Sequence, residues 1–160
     1  MPYILDIESS GLHKKDSYPI EIAWINSEDQ DDFETFLIRP ANYWNYWNKE
    51  AELVHKIAQH TLVHEGLTVF EAADFVVERL ENKVVLSDCP EFDQMWLDCL
   101  FEAALVTSSI TLNSVYGKMN NDMRMSFRNE INKLGRPHRA LGDVNSISQV
   151  YNQFRLLGKI

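Results

Sequence analysis

YILDIESSGL, residues 3–12, starts the chain with an apolar strand that carries two acids. Tyr3, Ile4, Leu5 and Ile7 suit a pleated, buried segment, and Ser9-Ser10-Gly11 is prone to turn. Residues two apart in a strand share a face, so Asp6 and Glu8 lie side by side where an all-apolar pattern would bury better. Like charges that close repel, and each raises the other's pKa unless a cation lies between them. Hard divalent ions such as Mg²⁺ favour oxygen donors of this kind. Taken alone, an Asp-x-Glu more often marks an exposed strand end, so the pair needs support from elsewhere in the chain.

Working outward, PIEIAWIN (19–26) and DFETFLIRP (32–40) read as two more strands with short connections, the second stopping at Pro40. Three closely spaced strands predict an antiparallel meander. Around Glu50–Ala58, Leu53, Val54 and Ile57 share one helical face. Thr68 and Glu71 form a Thr-x-x-Glu capping box ahead of Val69, Ala73, Val76 and Leu80 at helical spacing. KVVLS (83–87) predicts a buried strand, followed by a helix over 92–105 and a further strand over 109–116. A helix over 122–134 ends at Gly135 with Pro137 beyond it, and a last helix covers about 141–157. With no repeat or linker visible, this order predicts an α/β fold, a mixed sheet flanked by helices, as a single domain over 1–160.

A chain of 160 residues can bury a core without disulfides or structural metals. Its 45% apolar and 24% charged residues are those of an ordinary globular protein. No run approaches the roughly 18 apolar residues of a membrane span, so no membrane partner is expected. The strand beginning at once leaves no room for a secretory signal, which predicts a cytoplasmic protein with Cys89 and Cys99 reduced. The net charge of −9 speaks against a nucleic-acid partner until its distribution is read. Residues 1–109 carry 7 Lys+Arg against 21 Asp+Glu, whereas residues 110–160 carry 8 against 3. The acidic part could hold cations and the basic tail could meet phosphates, although charged faces are usually only solvated.

Two further segments carry chemistry. In LSDCPEFDQMWL (86–97), Asp93 starts the helix after the buried strand, where an acid is also favoured by the helix dipole. In HRALGD (138–143), Asp143 lies in the first turns of the last helix, with His138 ahead of it. Histidine titrates nearest neutrality, which suits a proton acceptor, though His13, His55, His60 and His64 show how little one histidine means. Five residues of regular helix would turn His138 and Asp143 ~140° apart, so His138 is expected outside the helix in a mobile loop, consistent with Pro137 before it.

Together, LDIESSGL (5–12), LSDCPEFDQMWL and HRALGD resemble, in order and context, the DnaQ-like DEDDh family of 3′–5′ exonucleases, which includes polymerase proofreading subunits, RNase T and oligoribonuclease. VHKI (54–57), Gly66 and the helix from Thr68 also match, so the likeness covers essentially the whole chain. It implies an RNase H-like mixed five-stranded sheet, three antiparallel strands and then parallel ones. It implies that Asp6, Glu8, Asp93 and Asp143 bind two Mg²⁺ ions, or Mn²⁺ in their place, and that neutral His138 takes the proton of the attacking water. Substrates would be 3′ ends of single-stranded RNA or DNA, and products nucleoside 5′-monophosphates. Ser9, Gly11, Leu12 and His55 match residues at the terminal nucleotide, with Gly11 letting the chain turn without a side-chain clash.

One departure is that the family's second motif usually begins His-Asn, where this chain has Asp88-Cys89, leaving the role of Asp88 open. The aromatic run Tyr43, Trp44, Tyr46, Trp47 could stack on bases, but so dense a cluster more often closes a core or forms a subunit interface. Arg124, Arg128 and Arg136 are candidates either for phosphate contacts or for salt bridges. RNase T and oligoribonuclease set a precedent for a homodimer. A proofreading or docking subunit of a larger complex is the alternative, against which no docking tail is expected after the last helix. A phosphatase acting on small nucleotides would share the metal chemistry without a groove for a strand.

Overall fold

The computed structural model describes residues 2–160. Its sheet follows from which strands are buried on both faces. PIEIAWIN forms β2 (Pro19–Asn26) and is buried along almost its whole length, because it lies between β1 (Tyr3–Ser9) and β3 (Asp29–Leu37) with helices above and below. The two pairings are antiparallel, the expected meander. β4 (Val85–Ser87) then joins β1 in parallel and β5 (Leu112–Ser114) joins β4 in parallel, giving the order β3-β2-β1-β4-β5.

Period-two alternation along β1 divides the core in two. Leu5 and Ile7, opposite Trp24 and Ile22, pack on α3 (Val69–Leu80) and α4 (Pro90–Ala104). Ile4, opposite Ile25, packs on α5 (Asn121–Leu134) and α6 (Ala140–Leu156). Asp6 and Glu8 share the Ile4 face, opposite Ala23 and Glu21. A register shift between Glu8 and Ser9 makes the β1–β2 ladder irregular just after the second of the two acids.

α3 has the capping box read from Thr68 and Glu71, with both reciprocal hydrogen bonds present. The expected helix near residue 50 is α1 (Lys49–His55), capped by the Asn48 side chain. α2 (Gln59–Glu65) was not expected from the sequence, since Ala58 offers no capping side chain and the helix has only 7 residues. β5 is shorter than the stretch 109–116 anticipated, because Ser108 and Ser109 are drawn off the sheet to the carboxylate of Glu81. No helix among the described residues is long and apolar enough to cross a membrane, and Cys89 and Cys99 are free thiols.

α5 is fastened through Phe127, which meets Tyr116 and Phe154 edge-on at 5.5 and 5.2 Å and is fully buried. Phe127→Ala should therefore cost about 3–5 kcal/mol of unfolding free energy in a urea titration. A loss under about 1 kcal/mol would contradict this packing.

Candidate active site

Three chain segments deliver acids to one end of the sheet. β1 supplies Asp6 and Glu8. Asp93 and Asp143 each lie four residues after a helix N-cap, Cys89 for α4 and Arg139 for α6, and their backbone N–H groups close the first turns on those caps at 3.1 and 3.0 Å. Both helices thus begin at the site, and their positive ends favour the carboxylates they carry. Asp6, Asp93 and Asp143 are 8%, 4% and 3% exposed, far more buried than acids at a solvated strand end.

The acids meet in two groups with one member in common. Carboxylate oxygens of Asp6, Glu8 and Asp143 lie within 4.8 Å of one another, and so do those of Asp6, Asp88 and Asp93. The second group contains Asp88, whose role the sequence left open. Burial, reinforced by Asp93, Glu8 and Asp143, holds the Asp6 carboxyl well above the usual range. Glu8 is pushed from 4.5 to about 7, first by burial and then by the charges of Asp143 and Glu21. Asp93 is also raised, mainly by burial, against the opposing effect of a hydrogen bond from Ser87 Oγ. Asp143 is raised by burial despite Arg136 nearby.

Counter-charge is scarce. Arg136 Nη2 donates to Asp88 Oδ2 at 2.7 Å, and Arg136 Nε lies 3.7 Å from Asp143 Oδ2. Five carboxylates against this one guanidinium leave a formal −4 when all are ionised, the amount that two divalent cations offset. Asp143 Oδ1 is buried with no hydrogen-bond partner, a costly state for a carboxylate unless a cation completes it. An all-oxygen donor set with an orphaned oxygen fits a hard divalent metal.

His138 stands outside α6 in the turn after α5, exposed, at φ 51° and near enough for its charge to lower the Asp143 pKa. The turn itself is tied down on both sides rather than loose. Glu21, whose importance was missed in the sequence, accepts from Arg139 Nη2 at 2.6 Å, from Arg139 Nε at 3.0 Å and from the Ala140 N–H at 2.9 Å. The available signal was an acid inside the otherwise apolar run PIEIAWIN.

Beyond the acids, Ser9 Oγ donates to the Gly11 carbonyl at 2.7 Å, and Leu12 is 75% exposed. Gly11 is required by close approach rather than by a turn, since a Cβ there would come within 2.8 Å of Tyr46 Cε1. His55 is buried, not on a solvated helix face; its Nδ1 accepts from the Ile57 N–H at 3.0 Å and its Nε2 has no partner. The aromatic run mostly packs. Trp44 stacks on Tyr18, Trp47 Nε1 donates to Glu52 at 2.6 Å beside His55, and only Tyr43 is largely exposed. Arg124 donates to the Met119 carbonyl, Arg128 lies over the Tyr116 ring and Arg136 serves the ion pair with Asp88.

No family model matches the chain and no curated protein matches it. Its fold, however, is similar to part of exonuclease I. The Escherichia coli enzyme in complex with a dT13 oligonucleotide is similar at TM-score 0.74 and 14% identity, over 98% of this chain and 42% of that one. Its zinc-bound form with single-stranded DNA gives 0.78 at 16% identity, over 98% and 40%. Exonuclease I from Methylocaldum szegediense gives 0.74 at 16%, over 97% and 40%. The chain thus spans about two-fifths of the length of the structures it matches.

The raised carboxyls give the metal-free protein a definite pH response. With Glu8 at about 7 in the folded state against 4.5 ordinarily, the folded chain holds the proton more tightly than the unfolded one. The stability this contributes is complete below about pH 4.5 and is lost as pH rises through about 7. Melting followed by calorimetry in EDTA should show Tm falling across that window, and Mg²⁺ or Mn²⁺ should restore Tm most at its upper end. A Tm indifferent to the divalent ion at neutral pH would refute the metal fit.

Proposed function

We propose that the chain is a 3′–5′ exonuclease domain of the DnaQ-like DEDDh type, hydrolysing terminal phosphodiester bonds of single-stranded DNA to nucleoside 5′-monophosphates. The observation that carries this reading is the meeting of acids from β1, α4 and α6 around a shared Asp6. Support comes from a fold matched over nearly the whole chain by exonuclease I structures, two of them holding single-stranded DNA. Two free thiols suit the cytoplasm, where such a domain would work.

In this reading Asp6, Glu8, Asp93 and Asp143 hold two Mg²⁺ ions, replaceable by Mn²⁺. Bound there, the ions supply an acidified water and charge stabilisation for the phosphate oxygens. The residues do the rest. The four acids discharge their mutual repulsion on the metal, so an acidic site accepts a phosphodiester. His138, exposed and unconstrained by the helix, takes the proton of the attacking water. Leu12 offers an uncovered apolar side chain to the terminal base, beside the backbone of Ser9 and Gly11. His55 is kept neutral by burial, and with Nδ1 accepting from Ile57 its Nε2 carries the proton, a free donor for the terminal sugar.

A 5′-labelled single-stranded DNA oligomer should yield a one-nucleotide ladder in Mg²⁺ that disappears in EDTA and in Asp6→Ala, with an RNA oligomer run alongside to rank the sugars. Internal cuts, or release of inorganic phosphate alone, would rule out the exonuclease. His138→Ala should lower kcat by about 10²–10⁴-fold while Mn²⁺ affinity, read by calorimetry, stays near that of the parent. Loss of metal binding in that variant would remove His138 from the role of base.

A further inference from the structure

The stretch between α5 and α6 is short and anchored at each end. Gly135, at φ 86°, closes α5 with its N–H on the carbonyls of Ile131 and Asn132. Arg136, Pro137 and His138 follow before the cap of α6 at Arg139. A Cβ at Gly142 would come within 2.3 Å of Pro137 Cγ, so the proline ring lies directly on the first turn of α6. Arg139 is clamped on Glu21. His138 lies between these holds in the left-handed region, a conformation that persists only when the surroundings impose it.

Arg136 differs from the other anchors in reaching the acid cluster itself. Its guanidinium bonds Asp88 at 2.7 Å and stands 3.7 Å from Asp143. The Asp88 side chain is only 8% exposed and that of Arg136 31%, so the pair is far drier than a surface salt bridge and expensive to break from one side. Asp88 follows β4 directly and Arg136 precedes His138 by two residues, so the bond ties the frame of the sheet to the histidine turn.

Building on the exonuclease reading above, we propose that Asp88 and Arg136 are a positioning pair that sets the place of His138 relative to the acid cluster. Asp88 Oδ2 is already committed to the guanidinium, and the two formal charges cancel. The pair therefore adds an acid beside Asp6 and Asp93 without adding to the charge that metal must offset. Neither side chain is a catalytic residue; both act through the histidine.

The pair can be tested apart from catalysis. In the full chain without metal, hydrogen–deuterium exchange should rise about tenfold or more at amides 136–142 in both Asp88→Asn and Arg136→Gln. Glu130→Gln, which removes the exposed pair with Lys133 on α5, is the control and should leave those amides as they were. On single-stranded DNA ends both variants should lose about 10- to 100-fold in kcat with KM nearly unchanged, and Arg136→Lys should regain part of it. Unchanged exchange in either variant overturns the pair. So does a tenfold loss of Mn²⁺ affinity in Asp88→Asn with exchange unmoved, which would make Asp88 a metal ligand. Should the parent protein cut no DNA end, the exonuclease reading falls, while the exchange measurements still decide whether the turn is pinned.

Discussion

Mutual repulsion among buried carboxylates is the constraint that organises this protein. Acids from strand and helices that are far apart in sequence share one end of the sheet, and burial raises the pKa of Asp6, Glu8, Asp93 and Asp143 together. Such a cluster persists only if the surrounding fold overrides its cost. The fold does so with two apolar clusters on opposite faces of β1 and β2, which offset the cost of the acids on the strand. It also aims the N-terminal ends of α4 and α6, 15 and 17 residues long, at the same spot, where their backbone dipoles offset part of the negative charge.

Around that unbalanced centre lies a ring of balanced charge. Glu21 stands opposite Glu8 in the β1–β2 ladder, an unfavourable placement of like charges by itself. Arg139 and the Ala140 N–H satisfy Glu21 fully, so its charge serves to fasten α6 to β2. Asp88 and Arg136 cancel in the same manner on the other flank. What is left over is negative and oxygen-rich, the condition for divalent ions rather than for a structural ion-pair network.

The parts of this arrangement that the sequence displayed are those governed by local rules. Runs rich in Ile and aromatics located β1 and β2, alternation located β3, and the capping box at Thr68 located α3. The Asp-x-Glu of β1 could be read as two carboxylates on one face because strand geometry alone guarantees it. Asp93 and Asp143 could be placed at helix starts for a similar reason. What stayed hidden depends on contacts between distant segments. Nothing local to Glu21 announces that Arg139 neutralises it, and nothing local to Asp88 announces Arg136. Gly11 looked like a turn residue, whereas its need arises from Tyr46, 35 positions along the chain. α2 escaped for want of a capping side chain, being stabilised by Leu62 in a small cluster with Tyr18, Ile20 and Ile57.

The acid cluster draws on the first strand and on the final helix, with Asp6 and Asp143 at nearly opposite ends of the chain. A ribosome delivers those ends in order, and the early strands can pair long before α6 has left the exit tunnel. Until α6 emerges, the nascent polypeptide therefore has a folding sheet but an incomplete ligand set. Whatever chemistry the assembled acids support is withheld until α6 docks on β1 and β2, so the fold ties the completion of the ligand set to its own completion.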